Sequence, residues 1–212
     1  MILYDLNNSE ASEPYQALAI SNGDRQFSFL QSIVNAALST NQLFLSQSIL
    51  KALNFHAIAC LHTNAGEYRP CPVYVHNGDG NPENIFHTPE HFRVSALMDN
   101  FINLINSTWS QVDPVTIGAF ILWKLCAIHP FINGNGRTAR AACYFAICVK
   151  AGGWLPGDVI LPTLLKRSAE YIPALKAADA SHKAGALDLT QLQTLIGKLL
   201  NEQIASAQPP EA

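Results

Sequence analysis

The sequence predicts a mainly α-helical protein that contains one short β-hairpin. Apolar residues recur every three to four positions through most of the 212-residue chain, a spacing typical of helices that pack against a core. One segment, Val73-Tyr74-Val75, instead alternates as a strand does, and Asn77-Gly78-Asp79-Gly80 after it is typical of a hairpin turn. The apolar fraction of 49 % is sufficient for a sizeable core.

The helices can be placed in order from their apolar periods and their start and stop signals. Asp24 is a candidate N-cap for the first helix, and the dipeptide Asp113-Pro114 is typical of a helix start. Gly152-Gly153 is typical of a helix end, and Pro173 is expected to kink or shorten the helix that contains it. Predicted helices cover residues 24–38, 41–61, 92–105, 114–128, 136–151, 162–179 and 187–204.

Three stretches are expected along the chain. Residues 1–40 should form a helical N-terminal extension, residues 41–205 the main domain, and residues 206–212 a frayed tail. The sequence contains no internal repeat or low-complexity tract.

Composition argues against several classes of partner. The net charge of −3 does not favour a nucleic-acid backbone as the main partner. Apolar runs fall short of the roughly 18 residues that cross a membrane, and the first residues lack the basic region of a signal peptide. The five cysteines are odd in number and have no metal-binding spacing, which favours reduced thiols and a cytoplasmic location.

The most informative stretch is the twelve residues 129–140, His-Pro-Phe-Ile-Asn-Gly-Asn-Gly-Arg-Thr-Ala-Arg. Gly134 and Gly136 allow a sharp turn, and a helix that begins there presents free N–H groups and a positive dipole to an anion such as phosphate. Arg137 and Arg140 are three residues apart, so both should lie on one face of that helix. His129 precedes the turn, and an ordinary imidazole pKa suits proton removal near neutral pH. These residues predict phosphate binding beside a general base.

Other interpretations of the same residues exist. A single histidine beside an apolar helix is commonly structural. Residues 134–139 also fit the G-x-G-x-x-A dinucleotide fingerprint, but that motif follows a strand, whereas a helical pattern precedes it here. The sequence has no G-x-x-x-x-G-K-[ST] motif, which excludes a P-loop.

Residues 129–140 closely resemble the signature of the Fic family, His-Pro-Phe-x-(Asp/Glu)-Gly-Asn-Gly-Arg-x-x-Arg, whose members typically transfer AMP from ATP to a protein hydroxyl. The resemblance implies a Fic-like helical bundle and a protein adenylyltransferase in which His129 is the general base. It also implies ATP as substrate, with Mg²⁺ at Asn133, although the family has an acidic residue at that position. The phosphates would lie against Gly134, Asn135, Gly136, Arg137 and Arg140.

Two further stretches extend the resemblance to roughly residues 41–200. Ala65-Gly66-Glu67-Tyr68-Arg69 matches the motif that precedes a β-hairpin flap in Fic proteins. The flap residues Val73, Tyr74 and Val75 would therefore pair by main chain with an extended segment of the target protein. The stretch 170–179 is similar to the family's nucleoside-binding helix, which implies that Tyr171 and Asp179 contact adenosine.

Control of the activity is expected from outside the chain. Many Fic proteins, or separate antitoxins, carry an inhibitory (Ser/Thr)-x-x-x-Glu-(Gly/Asn) motif. Ser9 to Glu13 has the spacing of that motif, but Pro14 follows the glutamate. We therefore expect a separate antitoxin-like inhibitor or another mechanism, besides a target protein with an accessible hydroxyl.

Two alternative functions remain open from sequence. One is a Fic-like transferase of another phosphate-linked group, either the γ-phosphoryl or phosphocholine. The other is a catalytically idle, nucleotide-binding regulatory module, because Asn133 brings no charge to a metal.

Overall fold

The computed structural model describes residues 2–4, 9–76 and 85–207, and in these residues helices dominate, as predicted. The helices are α1 Glu13–Ser39, α2 Gln47–Ile58, α3 Val94–Thr108, α4 Pro114–Ile128, α5 Asn135–Ala151, α6 Leu161–Arg167, α7 Tyr171–Lys183 and α8 Thr190–Ala205. A 3₁₀ turn, His91–Arg93, precedes α3. The strands β1 Tyr74–His76 and β2 Ile85–His87 pair antiparallel, with Val75 opposite Phe86.

Helix α5 is the centre of the bundle. Residues 141–149 are all buried, because α4 covers one side of the helix while α1, α2 and α6 cover others. A helix that is apolar on every side can be stable only inside such a bundle. The N-terminus of α5, where the signature loop ends, is thus anchored by the core.

Local signals define the ends of the two central helices as predicted. The Asp113 carboxylate accepts hydrogen bonds from the N–H groups of Val115 and Thr116, both at 3.0 Å, and Pro114 occupies the first turn of α4. Helix α5 ends at Gly152, which has φ 81°, a left-handed conformation that glycine adopts without strain.

The prediction for the first two helices was wrong about their starts. Helix α1 begins at Glu13 rather than Asp24, because the side chain of Asn22 is buried and donates a hydrogen bond to the Ala59 carbonyl at 2.9 Å. This tertiary contact keeps the Asn-Gly-Asp stretch helical. Helix α2 begins at Gln47 rather than Asn41, and the Ser46 hydroxyl caps it by accepting from the Ile49 N–H.

The stretch predicted as one helix over residues 162–179 is two helices, α6 and α7. The helix that contains Pro173 is shorter than predicted and begins at Tyr171, so Pro173 lies in its first turn, where the backbone N–H has no partner inside the helix.

The expected N-terminal extension shares its core with the main domain. Leu30, Val34 and Ala37 of α1 belong to the same buried cluster as Ala142 and Phe145 of α5. The predicted hairpin turn at residues 77–80 and residues 208–212 of the predicted tail lie outside the described residues.

The cysteines are free, as expected for reduced thiols, and all five lie in described residues. Among the helices of the described ranges, none has the length and apolar character needed to cross a membrane.

Candidate active site

His129 lies at the C-terminal cap of α4. Its backbone N–H donates to the Leu125 carbonyl at 2.9 Å and closes the last turn of the helix. The backbone then takes φ 51° and ψ 59°, a left-handed conformation that is uncommon for a residue with a side chain. Such strained positions are concentrated at functional sites.

Burial keeps the imidazole of His129 neutral. The pKa of His129 is lowered to about 4: loss of hydration is the main cause and the nearby Arg69 charge adds to it, while the Cys126 backbone opposes both effects. A neutral imidazole has one ring nitrogen that carries a proton and one that does not. The unprotonated ring nitrogen carries a lone pair, as a general base requires.

The loop after His129 is closed by the side chain of Asn135. Its Oδ1 accepts from the Phe131 N–H at 2.9 Å, and its Nδ2 donates to the Phe131 carbonyl at 2.8 Å. The Phe131 ring is buried and anchors the loop in the core. Of the predicted phosphate ligands, Asn135 therefore uses its side chain to shape the loop.

The two glycines give the backbone the close approaches that the turn needs. Gly134 has φ 73°, and a Cβ there would lie 2.6 Å from Cγ2 of Ile58. At Gly136 a Cβ would lie 3.2 Å from Nη1 of Arg140, which places that guanidinium beside the first turn of α5. The helix N-terminus and a cation thus converge on one point, where an anion would be stabilised.

The two signature arginines have different partners. Arg137 donates to the Ala57 carbonyl at 2.7 Å and to Oδ1 of Asn133 at 3.4 Å, and its guanidinium lies near the Tyr15 hydroxyl. The Arg140 guanidinium instead lies near the Tyr171 hydroxyl and lowers its pKa, against the larger effect of burial. Arg137 is therefore turned toward α1 and α2, whereas Arg140 remains beside the helix N-terminus.

Asn133, the predicted metal ligand, already has hydrogen-bond partners. Its Oδ1 accepts from the Gly134 N–H at 2.6 Å, and its Nδ2 donates to the Glu10 carboxylate at 2.9 Å. The described residues contain no group of three or more metal-binding side chains. One amide oxygen and one neighbouring carboxylate suit a Mg²⁺ ion that takes its other ligands from phosphates and water.

The predicted flap is a hairpin beside this loop. Val73, Tyr74 and Val75 line the same cleft as His129, and more than half of the Tyr74 surface is exposed. The side chain of Arg69 bonds the carbonyls of Cys71 and Pro89, which are the two ends of the hairpin, and donates from Nε to the His129 carbonyl at 2.8 Å. One buried guanidinium therefore fixes the flap relative to the candidate base.

The two predicted nucleoside ligands have partners on neighbouring helices. Tyr171 is buried, with its hydroxyl near Arg140 and 3.8 Å from Sγ of Cys126. Asp179 accepts a hydrogen bond from Nε1 of Trp123 at 2.8 Å. Both side chains are thus engaged with neighbouring helices, and contact with adenosine stays a prediction.

Several residues that support the site were not singled out from the sequence. Asn54 is fully buried, and its Nδ2 donates to the Asn133 carbonyl at 2.9 Å. Glu10, Tyr15 and His62 form a second polar group on the opposite side of the loop. Asn54 could have been found from the sequence, because it is a polar residue among the apolar positions of α2. Nothing in the sequence pattern indicates a role for Glu10, Tyr15 or His62.

The Fic/DOC family model matches residues 44–147, which include α2, the flap, α4 and the signature. The chain is 35 % identical over 115 residues to "Protein adenylyltransferase Fic" of Drosophila willistoni, and 34 % identical over 115 residues to "Protein adenylyltransferase fic-1" of Caenorhabditis briggsae. Each alignment covers 54 % of this chain and 20 % of the relative. The matched part is thus about a fifth of the length of those relatives.

Solved structures show the same fold at lower identity. A Fic domain-containing signaling protein from Bacteroides thetaiotaomicron aligns with a TM-score of 0.69 at 20 % identity, over 90 % of this chain and 70 % of that one. Fic-1 from C. elegans aligns with a TM-score of 0.67 at 24 % identity, over 88 % of this chain and 49 % of that one. With its matching signature loop and flap, the chain carries a domain of the Fic/DOC family over residues 44–147.

Proposed function

We propose that the protein is an adenylyltransferase that moves AMP from ATP to a Ser, Thr or Tyr hydroxyl of a target protein. The observation that carries the proposal is the half-buried His129 at the end of α4, with a lowered pKa and next to the N-terminus of α5. A general base and an anion site side by side suit attack of a hydroxyl on a phosphate. The names of the curated relatives support AMP as the transferred group.

The proposed reaction is one displacement at the α-phosphorus of ATP. The target hydroxyl loses its proton to the free ring nitrogen of His129 while its oxygen forms the new bond to the α-phosphorus. The bond from the α-phosphorus to the bridging oxygen breaks, and pyrophosphate leaves. The protein contributes mainly position and charge stabilisation, as in other phosphoryl transfers.

The phosphates are proposed to lie at the N-terminus of α5. The backbone N–H groups of residues 134–137 and the Arg140 guanidinium would stabilise their negative charge. Mg²⁺, where it accompanies ATP, would be held partly by Asn133 and would neutralise phosphate charge.

The target segment is proposed to pair with the exposed hairpin of β1 and β2. The strand β1 lies beside the cleft that contains His129, so a peptide added to it would present its hydroxyl near the base. Arg69 holds both ends of the hairpin and thereby fixes this distance.

Labelled ATP distinguishes the proposed function from its alternatives. Lysate proteins incubated with the enzyme should become labelled from [α-³²P]ATP and gain no label from [γ-³²P]ATP beyond that of lysate without the enzyme. Label from the γ-position would instead support phosphoryl transfer, and label from CDP-choline would support phosphocholine transfer. No covalent label, with ATP binding retained, would support the idle nucleotide-binding module.

Arg140→Ala should weaken ATP binding by about tenfold or more, because a charge-assisted contact to phosphate is lost. We expect a smaller loss for ADP, because we propose that Arg140, one turn into α5, faces the γ-phosphate that ADP lacks. Calorimetric titration with both nucleotides measures the difference. Arg93→Ala is the matched control, because Arg93 is exposed in the 3₁₀ turn and does not line the cleft. Equal losses for ATP and ADP would refute the γ-phosphate assignment.

A further inference from the structure

A carboxylate from outside the signature reaches the phosphate turn. Glu10 lies in the segment before α1, 123 residues from Asn133 in sequence, yet its Oε1 is 2.9 Å from Nδ2 of Asn133. Glu10, Asn133 and the first residues of α5 line one cleft. The Glu10 side chain is 54 % exposed, so a hydrated cation can reach it.

Glu10 is held in place by a buried polar chain. Nε2 of His62 lies 3.4 Å from the Glu10 carboxylate, and the same nitrogen lies 2.7 Å from the Tyr15 hydroxyl. The His62 ring also stacks on Tyr4, with the ring centroids 4.8 Å apart. Tyr15 is only 3 % exposed. Three residues from separate segments thus fix the position of a single carboxylate.

A carboxylate beside bound phosphates has one of two effects. Without a cation, the Glu10 carboxylate repels the phosphates. It also competes with the phosphates for Arg137, because it already interacts with the charge of that guanidinium. With a divalent cation between them, the carboxylate and the phosphates are ligands of the same ion. Asn133 offers only a neutral oxygen, so Glu10 is the source of anionic charge at this position.

We propose that Glu10 supplies the anionic protein ligand for the Mg²⁺ ion of bound ATP, next to the neutral Asn133. The proposal rests on the proposed nucleotide site at the N-terminus of α5. It assigns the segment before α1 to the metal-binding part of the site. In this proposal Asn133 shapes the turn and orients Glu10, and Glu10 provides the negative charge that binds the ion.

The test is the effect of Mg²⁺ on nucleotide affinity, because a shared ion couples the two binding equilibria. Calorimetry gives the dissociation constant of ATP with saturating Mg²⁺ and with EDTA, and their ratio is the gain from Mg²⁺. We expect Glu10→Gln to reduce this gain by about tenfold, as the loss of one anionic ligand suggests. Glu13→Gln removes the same charge from an exposed position of α1 and should leave the gain unchanged.

A second variant separates metal binding from damage to the loop. In Glu10→Gln/Asn133→Asp the carboxylate is moved to the turn itself, and the gain from Mg²⁺ should return. An unchanged gain in Glu10→Gln would overturn the proposal. Tighter ATP binding by Glu10→Gln, equal with and without Mg²⁺, would also overturn it and would identify Glu10 as a competitor of the phosphates.

The same titration tests the proposed function separately. Wild-type protein that binds no ATP under either condition would overturn the nucleotide site and, with it, the role of Glu10. Wild-type protein that binds ATP, with equal gains from Mg²⁺ in wild type and Glu10→Gln, would leave the site intact and overturn only the role of Glu10.

Discussion

His129→Ala should reduce AMP transfer by about 100-fold to 10,000-fold, which is the usual contribution of a positioned general base. Binding of ATP should change little, because the imidazole accepts a proton from the target hydroxyl and does not contact the phosphates in the proposed reaction. The measurement pairs the rate of labelling from [α-³²P]ATP with a calorimetric titration of ATP. His91→Ala is the control, because His91 lies in the 3₁₀ turn before α3. Equal rates for His129→Ala and wild type would remove His129 from the mechanism.

The pH dependence of the wild type gives a second test of His129. Burial lowers the pKa of His129 to about 4, so the free enzyme holds the base form at neutral pH and loses it only as the pH falls toward that value. The ratio kcat/KM should therefore stay flat from about pH 8 to about pH 5.5, where an ordinary imidazole would already be protonated. The pKa that governs the pH dependence of kcat belongs to the enzyme with ATP bound. It should be higher than that of the free enzyme, because the bound triphosphate stabilises the imidazolium. A decrease in kcat/KM with a midpoint near pH 6.5 would contradict a lowered pKa of His129.

Arg69→Met should lower the free energy of unfolding by about 3–5 kcal/mol, one of the largest losses expected for a single residue here. Arg69 is only 2 % exposed, and its side chain donates to the carbonyls of His129, Cys71 and Pro89. Methionine fills a similar volume but leaves these acceptors without their donor. The melting temperature should fall by on the order of 10 °C in a chain of this length.

Activity separates the positioning role of Arg69 from its role in stability. Well below the melting temperature, where Arg69→Met is folded, the KM for the target protein should rise more than the KM for ATP, because the flap loses its anchor. Arg93→Met is the matched control, since Arg93 is exposed in the 3₁₀ turn. An Arg69→Met protein as stable and as active as Arg93→Met would show that the buried guanidinium is dispensable.

The signature could be predicted from sequence because its geometry is local. His129 follows an apolar helix, Gly134 permits the left-handed turn, and a new helix starts within six residues of the histidine. Residues that are close in sequence remain close in space. The end of α4, the turn and the start of α5 therefore lie together in any fold that forms both helices. The strand pair was predictable for the same reason, because β1 and β2 are close in sequence.

At some helix boundaries, tertiary packing overrides the preference of the local sequence. The Asn22-Gly23-Asp24 stretch has the composition of a turn, yet it is helical because Asn22 finds a buried acceptor on Ala59. Pro173 has the signal of a kink, yet it lies in the first turn of α7. In each case the outcome depends on a partner or a helix start that the local pattern does not specify.

The sequence by itself determined the mainly helical class, the residues of the signature loop and the flap beside it, because periodicity and turn chemistry act over a few residues. Only the tertiary structure decided that Arg137 turns to Ala57, that Arg69 joins the flap to His129, and that Glu10 meets Asn133. These contacts join residues 60 or more positions apart in sequence. A polar side chain finds a distant partner only after the helices pack, and burial of apolar surface, rather than the polar pair, drives that packing.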